Sequence, residues 1–366
     1  MRGRTLDRTF LFTVIALVVV GFFVFASASL GLLARGGASF SRVAFGQIVL
    51  GMFLGSGALF IMSNIHYAKL KAHSLYIFIL SYIFTLLVFV PDLGVTHNGA
   101  TRWIEIFDLS IQPAEFLKIG FVVYFAAWLS GVRDKIHTFS YSVLPFIALV
   151  GLIAIPLLLQ PDTGTFLVIV IAGVSMFIAA GARIRDMFIL FGTGLAGAAA
   201  LVLARPYIMD RILAFVDPSR DPLGSSYQIQ QSLIAIGSGG LFGRGFGQGI
   251  QKFNYLPEPI GDSIFAVLAE EFGFFGGVLL IFLFVFFAWR GLRIASRSRD
   301  HFGGLLVLGI VILIVAQSFI NMASMLGVFP LTGLPLLFVS KGGSALFFTL
   351  LSVGIILNVS KYIKKR

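Results

Sequence analysis

Apolar runs close to twenty residues long recur from one end of this chain to the other. A bilayer core about 30 Å thick takes roughly 20 helical residues to cross. Unpaired backbone in hydrocarbon excludes most other ways of crossing it. A β-barrel would show short alternating strands, and none stand out. Soluble domains are about 25% charged; this chain of 366 residues is 12% charged and 58% hydrophobic. The expected fold is all-α: a single polytopic membrane domain over 1–366, with about ten spans.

The spans are expected near 9–34, 43–65, 74–91, 113–131, 141–159, 163–182, 187–204, 264–289, 304–327 and 344–360. Arg2, Arg4 and Arg8 precede the first, and Ala26-Ser27-Ala28 resembles a cleavage site. The apolar run from Phe10 to Phe25 exceeds a signal peptide's ~7–15 residues, so it reads as a retained helix.

Charge orients the spans. One set of loops holds Arg8, Lys69, Lys71, Arg133, Lys135, Arg183, Arg185, Arg290 and their neighbours, 17 of the 27 basic residues. Only Asp7, Asp134, Asp186 and Asp300 accompany them. The positive-inside rule makes that face cytoplasmic, with both termini. The same rule accounts for much of the net charge of +11, without nucleic acid. With no cysteine, disulfides and thiolate chemistry are excluded.

Two connections on the other face are long, 92–112 and 205–263. Loops of that length are functional or disordered. The second carries Tyr, Phe, Leu and Ile at intervals, which predicts short amphipathic helices on the outer surface. Its stretch GSGGLFGRGFGQG (237–249) matches neither the P-loop nor the dinucleotide pattern. The glycines suit either close approach to a ligand or a loop packed on helix ends. Arg244 and Lys252 flank them, as phosphate ligands or as interfacial anchors.

QPAEFLK (112–118) and QPDTGTF (160–166) each open a helix at the outer face. Proline at the first position and an acid in the first turn account for Pro113, Glu115, Pro161 and Asp162 structurally. Lys118 lies a turn deeper and shares a face with Glu115. Ionisable groups at that depth mark a polar cavity. In NGATRW (98–103), Arg102 suits a phosphate and Trp103 the interface, or the motif serves only as an interfacial anchor. Asp262, before the eighth span, reads either as its N-cap or as a general base in an outward cavity. Glu270 and Glu271 read as packed into helix pairs. The five histidines are scattered, and neither HExxH nor GxSxG occurs.

These segments, with QSLIAIGSGGLFGRGFGQGIQKFNYLPE, DSIFAVLAEEFGF and GVFPLTGLPLLFVSKGGSAL, resemble in order the SEDS family of bacterial cell-wall proteins (FtsW, RodA and relatives). QKFNYLPE looks closer to FtsW than to RodA. The resemblance implies a ten-helix glycosyltransferase of the bacterial cytoplasmic membrane. It would polymerise lipid II, an undecaprenyl-pyrophosphate-linked disaccharide-pentapeptide, with inversion at the anomeric carbon. Asp262 aligns with the family's essential aspartate, in a motif usually written PE-x-H-T-D-F-I-F-A. Arg102, Lys118, Arg244 and Lys252 become candidate pyrophosphate ligands, with Glu115, Asp162, Lys341 and Ser344 completing the substrate-binding set. A divalent cation (Mg or Mn) is implied, at no assignable site. Implied partners are a class B penicillin-binding protein and other divisome or elongasome membrane proteins. Three departures stand out: Ile260-Gly261 for His-Thr, Ser263 for Phe, and Lys341 for Tyr. A lipid II flippase is the rival reading; alternating access would place polar groups in both membrane halves. Here the unpaired ionisable groups gather toward the outer face.

Overall fold

A computed structural model describes residues 6–34, 37–97, 100–106, 109–217, 224 and 226–363. Asn98 and Gly99 of NGATRW, Arg2, Arg4 and the last three residues fall outside them.

Fourteen helices can be numbered among the described residues: α1 Arg8–Leu33, α2 Gly37–Phe45, α3 Gly55–Asn64, α4 Ala68–Ala72, α5 Ser74–Leu86, α6 Pro113–Gly131, α7 Val143–Leu159, α8 Thr163–Ala179, α9 Ile184–Ala204, α10 Pro206–Val216, α11 Tyr227–Gly239, α12 Ile264–Ser296, α13 His301–Met325 and α14 Gly343–Ser360. A π-helical stretch, Gly46–Leu54, joins α2 to α3. Eight helical segments are long and apolar enough to cross a membrane; two shorter apolar ones, Ser74–Phe89 and Thr163–Ala179, fall at two more of the expected spans.

The helix ends are tied by sequence-local chemistry. Asp7 caps α1, its carboxylate accepting from Phe10 N–H at 3.0 Å. The same carboxylate pairs with Arg290 of α12 at 2.9 Å. Asp7 N–H donates to Ser360 Oγ at 3.1 Å. One short acidic residue therefore joins three helices at the basic face. In the interior, Phe121, Phe125, Phe146 and Phe177 stack in series across α6, α7 and α8. Where α14 crosses α3, a Cβ on Gly354 would collide with the carbonyl of Leu59, so only glycine lets these backbones approach so closely. Helix α9 stands apart, burying only Asp186 and Leu190.

The 92–112 connection differs from expectation. It contains a three-stranded antiparallel sheet, β1 Gly94–His97, β2 Ala100–Ile106 and β3 Leu109–Ile111, in the order β1-β2-β3. Ile104 sits opposite Gly94 on one side and Ile111 on the other. Its side chain is buried. Ala100 and Ile104, at even positions of β2, are buried, while Glu105 is exposed, so one face of the strand packs inward. The 205–263 connection carries α10 and α11.

Helix α12 is broken. Gly273 adopts φ 67°, ψ −162°, outside helical space. The break frees the carbonyls of Glu270 and Glu271, and the N–H groups of Phe274 and Phe275 that would have reached them. The glycine-rich loop takes all four. Arg244 and Gly245 donate to Glu270 O and Glu271 O, each at 3.0 Å; Phe274 and Phe275 donate to Gly240 O and Leu241 O at 2.9 and 3.2 Å. A Cβ at Gly239 or Gly243 would strike the carbonyls of Ala269 or Glu271. Of the two readings of these glycines, the structure places them in close packing on a helix.

Candidate active site

The turn 258–262 leads into α12. The N-cap is Ser263, not Asp262. Gln228 of α11 donates to Ser263 Oγ at 3.0 Å. The Asp262 carboxylate is therefore not consumed in capping. Its Oδ1 is buried with no hydrogen-bond partner. A buried oxygen left unpaired is costly and points to a role other than packing.

The backbone around it is clamped. Asn321 of α13 donates through Nδ2 to Asp262 O and to Leu334 O, both at 2.7 Å. Ser340 Oγ donates to Gly261 O, and Lys341 N–H to Ile260 O, each at 2.6 Å. One turn earlier on α13, Gln317 donates to Pro335 O at 3.1 Å. Two amides four residues apart thus hold the 330–340 segment against the Asp262 turn.

Opposite the carboxylate lies Arg211 of α10, whose Nη1 donates to Thr332 O at 3.1 Å. A Cβ on Gly333 would sit 3.8 Å from Arg211 Nη2 and 4.0 Å from Asp262 Oδ2. With no Cβ, Gly333 leaves open the space that touches both guanidinium and carboxylate. Burial raises the Asp262 pKa from 3.8 to about 6, and the Glu258 charge adds to the rise; Gln228 and Arg211 oppose it. Arg211 is shifted down, first by burial and then by the charge of Arg102, while Asp262 and Asp162 act the other way. Arg211, Arg102, Asp262 and Asp162 thus share one electrostatic neighbourhood.

Sequence reasoning named three of these four. Arg102, on β2, donates to the carbonyls of Gln160 and Pro161. Asp162 caps α8, accepting from Thr165 N–H at 3.2 Å, and its other oxygen accepts from Gln112 at 3.3 Å. Pro161 precedes α8 rather than opening it; Pro113 does open α6. Arg211 was missed, as were Asn321 and Gln317. Their signals were a lone arginine in an amphipathic helix (PYIMDRILAFV) and two amides at i, i+4 in an apolar span (QSFIN).

The other expected ligands sit elsewhere. Glu115 and Lys118 pair at 2.8 Å, and Lys118 also donates to Gln317 at 2.6 Å. Both are buried, beside a cavity of only 20 Å³, room for a water and not for a sugar. The substrate cavity expected around this pair is only water-sized in this structure. Ser344 is buried, accepting from Gln112 N–H at 3.2 Å.

Lys252 departs furthest from expectation. It is fully buried, donating to Glu271 at 2.6 Å, Ser27 at 2.9 Å and Gly247 O at 3.0 Å. It presents no surface to a phosphate. Its charge instead balances that of Glu271, whose oxygens also accept from Ser27 and Gly247 N–H. Glu270 accepts from the N–H groups of Ile250 and Gln251, and Arg244 lies 3.7 Å from it. The paired glutamates fasten the glycine loop to α12. Lys341 is exposed, on the far end of the bond to Ile260. Among the described residues, no three His, Asp or Glu side chains group as metal ligands.

A polytopic helical bundle that gathers Arg102, Arg211, Asp162 and Asp262 in one neighbourhood defines a multi-pass membrane protein with a charged cluster beside its helix starts. Known proteins narrow this further. The family model of the FtsW/RodA/SpoVE cell cycle proteins matches residues 7–365. Stage V sporulation protein E of Bacillus subtilis is 42% identical over 313 residues, 85% of this chain and 86% of that protein. A probable peptidoglycan glycosyltransferase FtsW of Trichlorobacter lovleyi is 37% identical over 364 residues, 98% and 94% of the two chains. Among solved structures, a chain of a peptidoglycan synthase complex, described as coordinating polymerization and crosslinking, superposes with a TM-score of 0.80 at 28% identity, covering 97% and 98%. The rod shape determining protein RodA of Thermus thermophilus superposes at 0.70 with 27% identity, covering 97% of each chain. The chain belongs to the FtsW/RodA/SpoVE family.

Proposed function

We propose that this protein is a peptidoglycan glycosyltransferase that polymerises lipid II on the outer face of the bacterial cytoplasmic membrane, with both termini cytoplasmic. The observation that carries the reading is Asp262: a carboxylate with an unpartnered buried oxygen, facing Arg211 across Gly333.

The chemistry follows from that pair. Asp262 accepts the proton of the acceptor GlcNAc 4-hydroxyl as its oxygen bonds to the donor's anomeric carbon. The bond from that carbon to the pyrophosphate oxygen breaks, and undecaprenyl pyrophosphate departs with the electron pair. One direct displacement inverts the centre. A pKa of about 6 leaves Asp262 ionised at neutral pH yet more basic than an ordinary carboxylate. Arg211 and Arg102 supply positive charge where negative charge builds on the leaving group. Magnesium is commonly held by one or two carboxylates together with substrate phosphates. The described acids suit that arrangement better than a cage of their own.

The polymerising complex that superposes on this chain supports a class B penicillin-binding protein as partner. The test is polymerisation of purified lipid II by wild type and Asp262→Asn, with that partner present. Polymer from wild type, reduced by about 10²–10⁴ in the variant, is the outcome expected for loss of a general base. Equal polymer from both would remove Asp262 from the role.

A further inference from the structure

A separate recess shares the turn that carries Asp262. Its volume is 220 Å³, and its lining includes Leu32 of α1, Val43 of α2, Glu258, Pro259, Ile260 and Lys341. The walls are mostly apolar, with one acid and one base. The ion pairs among the described residues include neither Glu258 nor Lys341. Opposite charges left unpaired around an apolar recess are complementary to a group bearing both an ammonium and a carboxylate.

Size narrows the ligand. The recess is about ten times the size of the water-sized cavity beside Lys118. It is smaller than the ~300–1,000 Å³ of a whole small-molecule site. It therefore takes one arm of a larger molecule. Connectivity relates that arm to Asp262. Glu258 O accepts from Gly261 N–H at 3.0 Å and Ser263 N–H at 3.3 Å, and Lys341 N–H holds Ile260 O. The recess and the carboxylate thus belong to one hydrogen-bonded turn. Lys341 stands where the family pattern usually has Tyr, so the cationic end of the recess is a departure of this chain.

We propose that this recess binds the stem-peptide arm of lipid II, Glu258 receiving an ammonium and Lys341 a carboxylate of one amino-acid end. The assignment rests on the lipid II reading above. A zwitterionic phospholipid headgroup offers similar charges, but a recess built on the Asp262 turn favours an arm of the substrate bound there.

The experiment uses the full chain in nanodiscs of phosphatidylglycerol. Wild type and Lys341→Gln are each titrated with two lipid II preparations. One carries a diamino acid whose side-chain end bears a free amine and carboxylate; the other has that amine acetylated and that carboxylate amidated. Wild type should bind the first about tenfold more tightly, the scale of one charged hydrogen bond. Lys341→Gln, an exposed position, should lose most of that preference. Equal affinities in wild type, or an undiminished preference in the variant, would overturn the proposal. So would loss of the preference when phosphatidylethanolamine is added to the discs, which would assign the recess to a headgroup. Polymer formation in the same samples, after the penicillin-binding partner and magnesium are added, reports the enzyme reading separately. A preference without polymer sinks the enzyme and keeps the recess; polymer without a preference does the reverse; binding of neither lipid overturns both.

Discussion

Lys252 Nζ lies 2.6 Å from Glu271 Oε1, with both side chains buried between α1, the glycine-rich loop and α12. A buried pair of this kind need not stabilise relative to apolar residues, yet removing one partner strands the other's charge. Lys252→Met should cost about 3–5 kcal/mol and lower the unfolding temperature in detergent. The double variant Lys252→Met/Glu271→Leu should recover much of the loss. An unfolding temperature unchanged in Lys252→Met would show that the ammonium is solvated and open to a ligand after all.

The pH dependence of polymerisation should follow Asp262. A base works when ionised, so the rate should rise with pH, bend near about 6 and then level. Arg211 lowers the Asp262 pKa, so Arg211→Gln should move the bend to higher pH as well as slow turnover. A bend that stays in place would separate Arg211 from the carboxylate. Stability runs the other way. A carboxyl raised from 3.8 to about 6 on folding destabilises the fold progressively as pH climbs through that window, and the penalty is complete above it. Asp262→Asn should therefore unfold no earlier than wild type at pH 7, as thermal denaturation would record.

Gly333 has φ 69°, in left-handed space, and its missing Cβ leaves open the space beside Arg211 and Asp262. Gly333→Ala should cost about 1 kcal/mol in backbone strain. Its methyl would also stand in the path between guanidinium and carboxylate. Polymerisation should fall by at least tenfold while circular dichroism and membrane insertion stay normal. Wild-type turnover would mean that the gap is not where substrate sits.

How much of the site was legible depended on how local its signal is. Asp162 was readable as part of a helix start because a helix terminus needs only residues within one turn. The Glu115–Lys118 pair was readable because i, i+3 residues share a helix face. The strand ATRWIEI was not read, since its seven residues lack a strict polar–apolar alternation and carry no periodic signal beside runs of twenty apolar ones. Arg211 lies 51 positions before Asp262, in a helix whose arginine looks like any interfacial anchor. Only the fold brings it opposite that carboxylate.

Hydropathy and charge by themselves determined that the chain is a many-helix membrane protein, and its motifs determined the family. These properties are sums over local residues, so they survive without coordinates. Tertiary structure decided which charges face a ligand. Lys252 and Arg211 are both single cations in the 205–263 connection. Lys252 is spent on Glu271 because the kink at Gly273 draws the glycine loop into α12. Arg211 faces Asp262 because α10 packs on the segment held by Asn321 and Gln317. Whether a charge balances a buried partner or waits for a substrate is set by its neighbours in space, which residue type and spacing do not encode.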